Sequence, residues 1–463
     1  GGLRIALAVE SFIYFANIRP DYKWGYFAGT LVYAYTKPER ADHCVVFFDT
    51  QGGATHVKHV RKLALIRACG EYCVLLTRTD DPGQHILILC NAIGAPVDSK
   101  YIGIEPLTLC MTRTHIVAAS ADVICVWQYS SKVSKLTSID SGGDGVAHKR
   151  RDGKEAVWHV DEMPPAASAG GGGFDRLRQQ PRGRTADAIA CVCASDSMLI
   201  VGRESGTLQR YSLPHIALER KYVLRCCPQL MELNCTSTRL AIIDLGGVMT
   251  LFDLEAGRGQ PGSESGIPPG EHLALERRDA WDLRWADDNP DLLAMMEKSR
   301  MYIFRGLSPE EPVLSSGYLC SFSNLSITAV LLDEVYAYPD KPDLEIMVSF
   351  ETKSLRDSRD MIKLGISDAT QFVEDNPHPR LWRLLSESAL ERLDFPTAEK
   401  AFVRIGDYYG IQLVKRLVHL GDKEKQRAEV AVYFKRLDEA ERIYKDLDRL
   451  PPPPPPPPPL SPP

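Results

Sequence analysis

Three short stretches bring together residue types that could do chemistry. In G-R-E-S-G, Gly202 to Gly206, a serine stands next to a glycine just after the apolar run Leu199 to Val201. A hydrolase nucleophile elbow needs G-x-S-x-G on a strand-to-helix turn. Here Ser205 occupies the fourth place, and T-L-Q-R-Y after Gly206 has the pattern of a strand. The stretch therefore reads as a hairpin turn in which Ser205-Gly206 supplies the positive φ. In W-H-V-D-E, His159, Asp161 and Glu162 could bind a metal or work as an acid/base pair. Alternation puts His159 and Asp161 on one side of a strand, but no second histidine lies nearby, so the expectation is a solvated strand beside a loop. In E-R-R-D-A-W-D-L-R-W, Arg277, Arg278, Trp281, Arg284 and Trp285 could stack on bases or hold a peptide. As a strand it places Trp281, Leu283 and Trp285 on one face and Asp282 and Arg284 on the other, which favours core packing. Met295 and Met296, next to Leu293, likewise read as core rather than as an adaptable binding surface. No catalytic, cofactor-binding or metal-ligating residue is assigned. The chain is expected not to be an enzyme and to need no cofactor.

The elements around these stretches share one frame: an apolar run, a short turn, and a second run ending near an aromatic. It recurs at residues 5–15, 73–89, 115–127, 199–211, 240–252 and 292–304. Runs of five to seven residues rich in Val, Ile, Leu and aromatics, broken by Gly, Ser, Asp or Pro, mark antiparallel hairpins. The turn at Asp80 precedes that at Ser120 by 40 residues, and the turn at Glu204 precedes that at Leu245 by 41. This matches the roughly 40 to 45 residues of a four-stranded propeller blade. The segments L-A-L-I-R-A-C, I-E-P-L-T-L-C, A-I-A-C-V-C and A-W-D-L-R-W supply innermost strands. Runs such as Val248 to Phe252 are apolar on both faces, as expected where neighbouring blades cover each other. Trp127, Tyr211, Phe252 and Phe304 end third strands, where WD-type repeats carry W-D. Only Phe252-Asp253 approximates that dipeptide, so the repeats are degenerate.

At 463 residues, 44% hydrophobic and 25% charged, with a net charge of -6, the chain reads as soluble and globular. That charge gives no reason to expect nucleic acid or an anionic membrane as partner. The 12 cysteines form no C-x-x-C pair, which points to reduced thiols in a cytosolic compartment. No apolar run approaches the roughly 18 residues of a membrane span. Tracts at 141–184 and 256–270 are rich in Gly, Ser, Pro and charge and read as loops on the propeller rim.

After Asp360 the period changes. Trp382, Leu385, Ala389 and Leu393 fall on one helical face behind Pro379, and Ala398, Ala401, Phe402 and Ile405 on another behind Pro396. Ala440, Ile443, Tyr444 and Leu447 repeat the second pattern, and the step from Ala398 to Phe402 recurs 42 positions later. Stacked helix pairs of the tetratricopeptide kind are expected. Between residues 351 and 450, 19 basic residues balance 19 acidic ones, so contacts there should be local and shape-driven. Nine prolines, Pro451 to Pro459, then suit an extended polyproline helix without a core.

The fold class is therefore mainly β with a C-terminal α region: a degenerate seven-bladed WD-type β-propeller, then a truncated tetratricopeptide-like α-solenoid. The expected divisions are a propeller at residues 1–350 whose first blade is cut at Gly1, the start of a solenoid at 354–450, and a disordered polyproline tail at 451–463. S-F-I-Y-F-A-N-I-R-P-D-Y-K-W-G-Y, L-I-V-G-R-E-S-G-T-L-Q-R-Y-S-L-P, E-R-R-D-A-W-D-L-R-W-A-D-D-N-P-D-L-L-A-M-M-E-K and V-E-D-N-P-H-P-R-L-W-R-L-L carry a resemblance. The chain resembles, from Leu3 to about Leu447, the WD-repeat and helical-repeat subunits of intraflagellar transport complex A. The resemblance implies that residues 1–350 are the second of two propellers, and that the protein is a scaffold in retrograde ciliary transport, cilium assembly and ciliary entry of membrane proteins. It also implies partners among the other subunits of complex A, tubby-like adaptors and ciliary membrane-protein cargo. The implied location is cytoplasm, cilium, ciliary basal body and axoneme. The tract Gly170 to Gly173 and the proline run have no counterpart in that family. A coatomer-like vesicle coat outside cilia shares the architecture and is the alternative.

Overall fold

A computed structural model describes residues 4–10, 12–17, 20–130, 155–162, 187–257 and 270–448. The Gly170 to Gly173 tract, the proline run and most of both polar tracts lie outside these residues. Two units are present. One takes the described residues up to Ser323 together with Ile327–Phe350, the other Asn324–Ser326 and everything described from Glu351 onward.

In the first unit seven antiparallel sheets follow one another, here blades 1 to 7. Blades 1 to 5 have four strands each, at residues 23–60, 63–102, 108–159, 189–223 and 228–277. Blade 6, at 280–314, has five strands and blade 7, at 318–351, has three. The innermost strands are Lys23–Phe27, Leu63–Cys69, Thr108–Met111, Ile189–Ala194, Pro228–Leu233, Ala280–Trp285 and Tyr318–Ser323. Each packs on the next and the last packs on the first, so the ring closes.

Closure explains why the strands are apolar on both faces, because the core lies between blades. Phe27, Val32 and Phe47 of blade 1 meet Ile66, Leu75 and Cys90 of blade 2. Trp127 and Ile116 of blade 3 meet Val74, Leu76 and Leu87 of blade 2. Blade 7 meets blade 1 through Cys320, Val330 and Val335 against Leu31, Tyr33 and Phe48. The aromatics Trp127, Tyr211, Phe252 and Phe304 are all buried in third strands, as their spacing predicts.

Two expectations change. The hairpin at residues 5–15 does not open the ring: Arg4–Val9 and Phe12–Asn17 form a two-stranded sheet of their own, and the seven blades begin at Lys23. Blades 1 and 7, which lack the recurring hairpin frame, are instead the pair that closes the circle. Their seam carries the short helix α1, Leu332–Ala337, with Tyr22 stacked on Tyr336 at 4.3 Å. In blade 6 a bulge between Ala280 and Asp282 breaks simple alternation. Ala280, Leu283 and Trp285 then face the core, while Trp281 leaves it and packs edge-on against Tyr318 at 5.1 Å.

The second unit holds α2 Lys353–Leu364, α3 Ile366–Asp375, α4 Pro379–Glu391, α5 Phe395–Ile405, α6 Tyr408–Leu420, α7 Lys423–Tyr433 and α8 Leu437–Asp448. Pro379 opens α4 after the His378 cap. Two G-D pairs act as joints. Gly406 and Gly421 take left-handed conformations, φ 78° and 64°, while Asp407 and Asp422 accept from the first-turn amides of Gly410 and Glu424. Trp382, Leu385, Ala389, Ala398, Ala401 and Phe402 are buried as expected; Leu393 lies beyond its helix, at φ 58°. Close approach of α6 to α5 requires Gly410, where a Cβ would stand 2.4 Å from the Phe402 ring. Gly410→Ala is expected to cost about 1–3 kcal/mol through overpacking, read as a lowered urea midpoint for the helical unit.

Candidate docking surfaces and the axial channel

In G-R-E-S-G, Met198–Arg203 and Thr207–Ser212 are paired antiparallel strands, and the turn between them uses Gly206 at φ +86°. Ser205 Oγ donates to Asp187 Oδ2 at 2.8 Å and shares a hydrogen bond with Thr207 Oγ1 at 2.9 Å. Arg203 is the residue with the larger task. Its Nη1 donates to Asp161 at 2.5 Å, its Nη2 to the Asp187 carbonyl at 2.5 Å, and its Nε lies 2.9 Å from Asp187 Oδ2. Asp161 follows the outermost strand of blade 3 and Asp187 precedes the innermost strand of blade 4, so one Arg203 side chain, 8% exposed, ties both to blade 4. Arg203→Met removes charge-assisted bonds whose carboxylates remain partly solvated. A loss of about 2–3 kcal/mol is expected, measured by denaturant unfolding.

The His159 and Asp161 pair does not form. The strand Glu155–His159 ends at the histidine, whose Nε2 lies 3.4 Å from Asp122 Oδ2, while Asp161 sits in the following turn on Arg203. The Arg and Trp cluster also disperses. Arg277 bonds Glu297 and lies over the Tyr302 ring at 4.5 Å, Arg278 is mostly exposed beside Glu276, and Arg284 turns to the channel side of the innermost strand. Met295 and Met296 are fully buried core. Among the described residues no group of three or more His, Cys, Asp or Glu could hold a metal ion.

Polar groups on the innermost strands, or just after them, join blades. Lys23 donates to the Leu63 carbonyl at 2.6 Å, Arg67 to Leu109 at 3.1 Å, Asn234 to Pro290 at 3.2 Å and Arg284 to Cys320 at 3.1 Å. Each side chain reaches the main chain of the next blade, which composition alone does not signal. Arg284 also bonds Glu232 at 3.1 Å, and Trp285 Nε1 donates to the Glu232 carbonyl. Burial pushes the Glu232 carboxyl up to about 7 although Arg284 lies beside it. For Arg284, burial works to lower the pKa, but Glu232, Asp282 and Asp287 outweigh it and the net direction is upward. The channel groups are thus spent on holding the ring.

Apolar side chains remain exposed on both units. On the propeller, Val57 lies on the outermost strand of blade 1, and Val97 and Tyr101 lie on that of blade 2. On the helical unit, Val403, Tyr408, Tyr409 and Leu437 are exposed at or near helix ends, and the Tyr409 ring stacks on Tyr433 at 6.2 Å. Aromatic and aliphatic side chains left outside a core are the usual makings of protein interfaces. No described helix is long and apolar enough to cross a membrane.

Residues 24–351 match the family described as the WDR35 second beta-propeller, and residues 381–448 match the IFT80/172/WDR35/WDR19 TPR domain. The chain is similar to WD repeat-containing protein 35 of Rattus norvegicus, 52% identical over 451 residues, and of Homo sapiens, 51% identical over 462 residues. Each comparison covers 97% of this chain and 38% of the relative, so the chain spans about 38% of the length of these curated relatives. It is also similar to the Intraflagellar transport protein 122 homolog of Homo sapiens, 20% identical over 260 residues, covering 53% of this chain and 18% of that protein. A closed seven-bladed ring that matches one propeller family over most of the chain, followed by the matching helical repeat, makes this chain a member of the WDR35 family.

Proposed function

We propose that the chain is the second-propeller and early-solenoid portion of a non-catalytic scaffold subunit of intraflagellar transport complex A. It acts in retrograde ciliary transport, cilium assembly and ciliary entry of membrane proteins, and works in the cytoplasm, cilium, basal body and axoneme. The seven blades from Lys23 onward serve as the propeller platform, and the helices from Lys353 onward begin the solenoid. The observation that carries this reading is half-identity to WD repeat-containing protein 35 along 97% of the chain. The propeller is built for rigidity, with seven blades packed on one another through their innermost strands. The exposed Tyr408 and Tyr409 then offer a local, shape-driven contact for other complex A subunits.

The test is rescue in ciliated cells that lack the endogenous family member. Full-length protein carrying Tyr408→Ser and Tyr409→Ser should bind complex A subunits at least tenfold more weakly and leave returning cargo stranded at ciliary tips. Normal cargo return together with undiminished subunit binding would refute the docking role.

A further inference from the structure

Blade 2 contains two cysteines that the scaffold role does not use. Cys73 lies in the strand Tyr72–Arg78 and Cys90 ends the strand His85–Cys90, and the two are direct partners in the antiparallel register. Directly opposed residues project to the same face with Cα atoms about 4.5–5.5 Å apart, inside the span a disulfide accepts. Both are free thiols, 0% and 3% exposed, within the core between blades 1 and 2. The neighbouring Cys73 thiol, helped by Lys58, holds the Cys90 thiol below its ordinary value against burial, and Cys90 together with burial raises Cys73, whereas burial pushes Cys110, Cys125 and Cys320 up. Two thiols directly opposed across neighbouring strands, one held below its ordinary value, have the arrangement of an attacking and a resolving cysteine.

We propose that Cys73 and Cys90 form a reversible thiol–disulfide site, oxidised by hydrogen peroxide to a bond that staples the middle strands of blade 2. The Cys90 thiolate attacks one peroxide oxygen. The O–O bond breaks, the departing hydroxide takes a proton to become water, and Cys90 becomes a sulfenic acid. The Cys73 sulfur then attacks the Cys90 sulfur, the S–O bond breaks, and hydroxide leaves with the Cys73 proton as a second water. Two thiols lose two hydrogens and two electrons, and the peroxide gains them. A dithiol reductant reverses the step. Burial of both sulfurs favours a small peroxide over a protein oxidant.

The test treats the whole chain with hydrogen peroxide until the exposed Cys235 is consumed, then alkylates and digests it without reductant. Mass spectrometry should find a peptide pair joined through Cys73 and Cys90, two hydrogens lighter than the free pair and separated by dithiothreitol. Cys73→Ser should abolish the link and leave Cys90 as a sulfenic acid trapped by a 1,3-dione, whereas Cys90→Ser should leave Cys73 untrapped. Full alkylation of both wild-type cysteines after Cys235 has been oxidised would overturn the proposal. So would a cross-link from either one to a different cysteine.

Discussion

Arg284→Met is expected to destabilise the propeller by about 2–4 kcal/mol near pH 8, and by much less near pH 5. Removing one member of an enclosed ion pair strands the other charge, which costs about 3–5 kcal/mol when burial is complete. The Arg284 side chain keeps 38% of its surface and that of Glu232 24%, so screening reduces the figure. Glu232 is the stranded partner, and its carboxyl already sits at about 7 because of burial. A carboxyl whose folded pKa lies above its unfolded value binds more protons in the folded state between those two values. Stability therefore falls as pH rises from about 4.5 to about 7, by about 3 kcal/mol if the whole difference applies. Without Arg284 the carboxyl rises further. Near pH 5 it is neutral and needs no counter-charge, whereas near pH 8 folding must bury it alone or protonate it. Urea titrations of wild type, Arg284→Met and the double variant with Glu232→Gln at both pH values measure this. The double variant should recover most of the loss at pH 8 and show a flatter pH dependence than either parent. Equal losses for Arg284→Met at both pH values would show that the pair contributes no electrostatic coupling.

Trp127→Ala is expected to cost about 3–5 kcal/mol, among the largest single losses available in the ring. The side chain is 2% exposed and fills the interface between blades 2 and 3, among Val74, Leu76, Leu87 and Cys125, with its edge toward Tyr129 at 6.3 Å. Blades hold one another rather than themselves, so the cavity weakens two sheets at once. Hydrogen exchange should rise in both strand sets, at 63–102 and 108–128, relative to blades 5 and 6. Faster exchange confined to blade 3 would mean that the interface carries less of the stability than its burial indicates.

The ring was legible because its physics is periodic. Short runs apolar on both faces, spaced 40 or 41 residues, allow little else than sheets stacked on sheets, and the buried aromatics at Trp127, Tyr211, Phe252 and Phe304 follow. The helical unit was legible for the same reason at Trp382, Ala398 and Phe402, and less so at α6 and α7, whose boundaries rest on the G-D joints. The closing pair, blades 1 and 7, lacked the hairpin frame because tyrosines and α1 fill their seam in place of aliphatic runs. The bulge at Ala280 and Asp282 inverted the expected role of Trp281, since one extra residue resets alternation. The channel bonds from Lys23, Arg67, Asn234 and Arg284 were invisible in the sequence. Each depends on which strand of the next blade lies alongside, a fact of ring closure rather than of local pattern.

The central claim is that this chain is a platform within a ciliary transport assembly. Its most direct test is affinity purification of the full-length protein from ciliated cells, run beside a version lacking residues 24–448, with quantitative mass spectrometry of the bound proteins. The account predicts recovery of intraflagellar transport complex A subunits with the full-length protein and loss of a subset of them with the deletion. Recovery of coatomer subunits in their place, or the same partners with and without these residues, would contradict it.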